Sequence, residues 1–323
     1  MTPGIKDVST SRLIPLHYEA KLDWFCCMHN DDGSINYDVK SELQGFMNEL
    51  VRFNPSVPIR NEVYSFTFSI DDNSDVVRIK TTINAQTDGD NNVYYDYYDE
   101  IVIGRIKDLC FIINLAYPGV LHFRDGVIYR SGKPIRKHFK YSSDLLGWAY
   151  EEMNWPEFEE LSIEECWNWI INKTNFLTDI SITPIDRALH ALSYSDASDN
   201  TYIFYVMLGI EAIYNDDSNK EDSILEQLKR KTKCILGKCP TNLENTVKKQ
   251  INDMYRMRSC LVHGKNNIEK CWKTYDCDNN EYDKYLDQLK PMVTATGLLL
   301  ATIQKFVKAN ANTITETITV NLE

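Results

Sequence analysis

No run of 18 apolar residues occurs in this chain of 323 residues, so no segment of it reads as a membrane-spanning helix. The longest candidate, 297–307, is broken by Thr302, Gln304 and Lys305 and reads as a core helix. The beginning, from Met1 to Asp7, has no basic segment leading into an apolar one, so no secretory signal is expected. Cysteine is present without a pattern: nine residues, an odd number, scattered through ordinary core sequence. Disulfide frameworks belong to small secreted domains, so these are read as reduced thiols of a cytoplasmic chain. Cys234 and Cys239, followed by Cys271 and Cys277, fit no finger or ribbon spacing, and no metal or other cofactor is expected. Internal repeats and low-complexity tracts are missing too. What remains is globular: 43 % apolar, 25 % charged, and long enough for two domains.

Positive charge is scarce overall but concentrated in one place. The net charge is −12. Between Lys229 and Lys273, however, twelve Lys or Arg face only three acids, Glu244, Asp253 and Glu269. That segment carries +9 and leaves −21 on the rest. A basic segment on an acidic body is what local phosphate binding needs, and distribution matters more than the sum. Lys229, Arg230, Lys231 and Lys233 form its first cluster, read either as a grip for RNA or as a solvated helix face.

The pattern of apolar residues divides the chain into a β-rich part, 1–140, and a helical part, 141–323, an α+β organisation. In the first part, Val39, Leu43, Phe46, Met47, Leu50 and Val51 have helical spacing and predict a helix ending near Asn54-Pro55. Strict alternation predicts strands over 63–70 and 76–83, with a turn at Asp71-Asp72-Asn73-Ser74. A third strand is expected over 93–103, entered through a loop at 88–92. A hairpin is expected with Asp125-Gly126 at its turn. In the second part, Ser162 and Glu165 make a capping box, and Thr183-Pro184 with Asp186 opens another helix. Further helices are expected over 199–214, from Ser223 past Leu228, and from near Thr241 through Val247, Ile251, Met254, Met257, Cys260 and Leu261. A last helix spans 283–309, with a kink or break at Pro291.

The chemistry-bearing pattern is Arg258-x4-His263. As a string it decides little, because Arg12 and His17 match it as well, in an extended stretch containing Pro15. The setting of Arg258 and His263 differs: a helix precedes them, and Gly264 follows where helices often end in a left-handed residue. On an ideal helix the two side chains are about 140° apart, and unwinding at Gly264 lets His263 swing toward the Arg face. Arg256, Lys265 and Asn266 lie near and add donors. An imidazole exchanges protons near neutrality, and a guanidinium holds phosphate as a fork.

Tyr255-Arg256-Met257-Arg258-Ser259-Cys260-Leu261-Val262-His263-Gly264 resembles the signature of the HEPN superfamily, and more narrowly its Apea-like branch. Leu208 to Tyr214 resembles the second helix of that branch, and the resemblance covers roughly 150–310. It implies an all-α bundle after the β-rich domain. It also implies a metal-independent endoribonuclease in which a ribose 2′-hydroxyl attacks the adjacent phosphate. Arg258 and His263 take the catalytic places. Ser259 contacts phosphate or orients Arg258, and Glu211 pairs with Arg258. One His per chain supplies both proton roles only if two copies meet, so a homodimer is expected. The branch implies a toxin or abortive-infection effector that cuts cellular RNA such as tRNA, with 1–140 sensing or restraining and with a phage-derived trigger or an inhibitor protein as further partners. The alternative is a non-catalytic HEPN module for dimerisation or for nucleic-acid or nucleotide binding. Acid pairs such as Asp71-Asp72 and Asp88-Gly89-Asp90 read as turn residues rather than metal ligands.

Overall fold

Period-two alternation governs the first third of the chain. The computed structural model describes residues 12–24, 43–71, 76–87, 93–178, 180, 182–194, 202–214, 224–265 and 281–314. Among these are the strands β1 (Leu13–Trp24), β2 (Ser56–Ile59), β3 (Glu62–Ile70), β4 (Val76–Gln86), β5 (Phe123–Arg130) and β6 (Lys133–Lys137). They form one antiparallel sheet in the order β2-β3-β4-β1-β5-β6. The register pairs Leu16 with Ile83 and Ala20 with Ile79, so β1 and β4 turn their apolar side chains to the same face. Leu16, Tyr18, Ala20, Leu22 and Trp24 are all buried there. Helix α1 (Gln44–Arg52) buries Phe46 and Leu50, with the Phe46 ring 5.7 Å from Trp24.

Helix α2 (Tyr95–Ala116) begins where a third strand was expected over 93–103. The Tyr, Val and Ile of that window suit a strand, but the buried residues are Tyr98, Val102, Ile106 and Leu109. Their spacing is helical, and it becomes legible only beyond Ile103. Asp99 ties this helix to the sheet: it accepts a hydrogen bond from the Tyr18 hydroxyl at 2.8 Å and pairs with Arg130. Burial, together with the Asp99 carboxylate, pushes the Tyr18 phenol above its usual range. The hairpin expected around Asp125-Gly126 is also corrected. β5 runs through both residues, and the chain reverses at Ser131 and Gly132, whose φ values are 47° and 79°. Two positive φ values in a two-residue loop match the twist of the flanking strands. Gly126 instead serves close approach, since a Cβ there would lie 2.6 Å from the Leu22 Cδ2.

The chain divides into two compact units, 1–110 with 123–141, and 111–122 with 142–323. The second contains α3 (Asp144–Glu152), α4 (Ile163–Lys173), α5 (Pro184–Ser193), α6 (Tyr202–Tyr214), α7 (Ile224–Leu236), α8 (Glu244–Val262) and α9 (Glu281–Lys308). The expected capping boxes form at Ser162 with Glu165 and at Thr183 with Asp186. Helix α9 is the hub, touching each of α3 to α8. It runs through Pro291 as one helix, so of the kink or break expected there, the break does not occur. A missing N–H costs one helical bond, and the apolar residues from Met292 to Val307 hold the rest in the core. Gly209 lets α5, α6 and α9 approach, because a Cβ there would lie 2.7 Å from Leu299 and 2.9 Å from Ala191. Among the described residues, no helix is long and apolar enough to cross a membrane.

Candidate functional site

Helix α8 carries the Arg258 motif and is anchored by Ile251, Met254 and Leu261, all buried. Its end is fixed by backbone geometry. Gly264 has φ +64°, the Lys265 N–H donates to the Cys260 carbonyl at 2.8 Å, and the Gly264 N–H donates to Leu261 at 3.2 Å. This pair of bonds satisfies carbonyls that the helix end would otherwise leave open. It leaves His263 exposed at the cap, and among the described residues its imidazole has no hydrogen-bond partner. The left-handed glycine expected from the sequence is therefore present.

Arg258 turns back into the bundle. Its Nη2 lies 3.6 Å from Oε1 of Glu211 on α6, with both side chains largely covered, 28 % and 17 % exposed. That oxygen is buried and has no hydrogen-bond partner. At 3.6 Å the link is an ion pair without a hydrogen bond. Ser259 is half-buried, about 100° around the helix from Arg258, and its carbonyl accepts from the His263 N–H.

The other expected contributors separate. Arg256 sits about 200° around the helix from Arg258 and pairs with Asp253 at 3.0 Å, so it does not join the site. Lys265 is exposed just past the cap, and Asn266 lies outside the described residues. On α7, Lys229, Arg230 and Lys233 line a cleft, but Lys231 does not: it is buried, 9 % exposed. A run of consecutive cations cannot share one helix face, which corrects the expectation of a four-residue grip. Of the acids weighed as metal ligands, Asp71 is engaged by Arg78 through two hydrogen bonds, whereas Asp72, Asp88 and Asp90 lie outside the described residues.

Compared with protein-family models, curated proteins and solved structures, the chain matches none. Chemistry must therefore be read from the residues themselves. His17, in the competing Arg-x4-His string, lies on strand β1 and bonds Thr82 at 2.9 Å, which removes that string from consideration. His190 is a packing residue: its Nε2 donates to the Phe176 carbonyl at 3.2 Å. Trp169 is likewise in the core, with its indole N–H on the Ala311 carbonyl.

Two features were missed in the sequence. One is an apolar rim around the ion pair. Leu208, 58 % exposed, is one turn from Glu211, and Val262, 50 % exposed, is one turn from Arg258. Tyr205, one turn before Leu208, stacks on Tyr194 with ring centroids 4.3 Å apart. A helical wheel of α6 shows this stripe opposite the buried Ile203 and Ile210, but only if burial is already known. The other is the cleft itself, which needs Trp155 from far upstream.

Proposed function

We propose that the chain is a HEPN-type, metal-independent endoribonuclease that acts as a homodimer on cellular RNA such as tRNA, in the cytoplasm, as a defence effector or toxin. The observation that carries this reading is the Arg258–Glu211 ion pair between α8 and α6, with an exposed His263 five residues on at a fixed helix end. Glu211 neutralises part of the cost of holding a guanidinium in the bundle and aims it. Arg258 then binds the scissile phosphate and offsets charge in the transition state. A neutral imidazole takes the 2′-hydroxyl proton as the 2′-oxygen bonds to phosphorus. The 5′-oxygen leaves and takes a proton from the imidazolium of the second copy, and a 2′,3′-cyclic phosphate remains.

The test is incubation of the purified chain with total RNA in EDTA. Cleavage leaving cyclic phosphate ends is expected, and His263→Ala is expected to slow it about a thousandfold. Persistence of cutting in that variant, with its fold intact, would remove the assignment. RNA binding without cutting by either protein would instead favour the non-catalytic module.

The apolar rim supplies the surface for the second copy, since exposed Leu, Val and Tyr beside a polar site suit a self-complementary contact. Leu208→Glu is expected to turn a dimer into a monomer in sedimentation and to lower cleavage about a hundredfold through loss of the paired imidazole. A Leu208→Glu protein that remains dimeric would place the interface elsewhere.

A further inference from the structure

Strands β3 and β4 part at one end. Their paired register runs from Ile70 with Val77 to Phe66 with Thr81. Beyond it β3 keeps only β2 as a neighbour in the sheet, and β4 keeps only β1. Tyrosines bridge the gap: the Tyr64 hydroxyl accepts from the Asn84 N–H at 3.2 Å, and the Tyr98 hydroxyl accepts from the Gln86 N–H at 2.9 Å. A pocket of ≈ 120 Å³ remains there. That is room for about four waters, or for one small organic molecule in their place. Ile59, Ile83 and Tyr98 line it and are buried, so they limit its size, and the charged groups on it are Arg60 and Glu62.

Both charges are oriented and open. Arg60 sits in the turn between β2 and β3, next to the pair of Ile59 with Glu62. Its φ is +56°, a conformation that favours glycine and costs another residue about 1 kcal/mol or more. Strain of that kind persists where the side chain is needed. The guanidinium is exposed but held: it lies 4.3 Å over the Tyr97 ring, and its Nε donates to the Tyr97 hydroxyl at 3.0 Å. Glu62 is half-buried, and one carboxylate oxygen accepts from the Tyr64 hydroxyl at 2.5 Å. Burial and that bond push the Tyr64 phenol up to about 12, so it stays a donor to Glu62 at neutral pH. Among the described residues neither Arg60 nor Glu62 has an ion-pair partner, and they do not pair with each other. A cation and an anion, each positioned by a tyrosine, therefore line one small space.

A ligand that satisfies both carries a carboxylate and an ammonium close together. In a peptide those groups stand at opposite ends; in a free amino acid they share one carbon. We propose that this pocket binds a small free α-amino acid, with its carboxylate on Arg60 and its ammonium on Glu62. The site lies within the first compact unit and does not rest on the ribonuclease reading.

Calorimetry on the full-length chain tests it with glycine, L-alanine and L-serine. Acetate and methylammonium serve as half-ligands, and L-tryptophan as an oversized one. At least one of the three small amino acids is expected to bind. Acetate and methylammonium are each expected to bind at least about tenfold more weakly, since each meets one charge only. Tryptophan is expected not to bind, because the pocket has no room for its indole. Glu62→Gln keeps an oxygen for Tyr64 and removes the charge, and Arg60→Gln removes the guanidinium. Each is expected to weaken binding about tenfold and to melt within about 5 °C of the wild type, as neither side chain is in the core. No binding by any of the three amino acids overturns the proposal. So does acetate or tryptophan binding as tightly as the best of them, or an affinity unchanged in the Arg60→Gln, Glu62→Gln double variant. A melt lowered by more than about 5 °C in either single variant would make the pair a structural one and overturn it as well.

Discussion

Exchanging Arg258 for lysine is expected to keep the fold and to slow RNA cleavage about a hundredfold, and Arg258→Ala to slow it about a thousandfold. The two variants ask different questions. Lysine keeps a positive charge facing Glu211 but gives up the planar fork that grips a phosphate through two parallel bonds. Alanine removes both, leaving a largely covered carboxylate without its counter-charge, so that variant is also expected to melt earlier. The 3.6 Å separation sharpens the test. Glu211 is held by charge and not by a hydrogen bond, so Glu211→Gln keeps the shape and removes the attraction. If Glu211 serves only to aim Arg258, its loss costs activity in the wild-type background and nothing further on top of Arg258→Ala, which leaves no charge at 258 to aim. Additive effects in that double-mutant cycle would show that Glu211 acts on its own. Cleavage by Arg258→Lys at the wild-type rate would mean that the phosphate is held elsewhere.

The elements that were legible in the sequence are those whose signals are local. Alternation over 63–70 and 76–83 gave β3 and β4, and the boxes at Ser162 and Thr183 gave the starts of α4 and α5. Gly264 announced its positive φ because a helix pattern ran into it. The failures have a common cause. Gly126 reads as a turn residue in isolation, but the Leu22 side chain of β1 packs where its Cβ would be, and only the sheet register reveals that. Val93 to Ile103 carries strand-prone residues whose helical burial depends on the sheet beneath. At the site, Arg258 and His263 were named from spacing and resemblance, and the structure adds the Glu211 contact and the exposure of His263. The cleft was not legible, since it joins Trp155 to residues about 70 to 100 positions later, and no local pattern encodes a wall shared at that distance. Lys231 failed for a simpler reason: charge counting has no direction, and a helix does.

The largest expected loss of stability follows from Asp186, a residue with no catalytic part. Its carboxylate is fully buried at the first turn of α5. It accepts from the backbone N–H groups of Asn175 at 2.7 Å, Thr183 at 2.8 Å and Ile182 at 3.2 Å, and from the Asn175 side chain at 3.1 Å. It therefore fastens the chain that leaves α4 to the start of α5, the helix on which Gly209 and α6 rest. Burial alone would raise its pKa, but the bonds from Asn175 and Thr183 outweigh burial and hold the carboxyl below its usual range. Asp186→Asn keeps the volume but turns an amide N–H₂ toward donors, and is expected to cost about 3 kcal/mol at pH 7. The sign with pH is fixed by the direction of the shift. A carboxyl with a lower pKa folded than unfolded contributes fully above the unfolded value, about 3.9, and loses that contribution as pH falls through the folded value. Urea unfolding followed from pH 7 to pH 2 should show the wild type and Asp186→Asn far apart at neutrality and converging below about pH 4. A gap that stays constant into acid would mean that the ionised carboxylate is not what holds α4 to α5, and that packing around Asp186 does so instead.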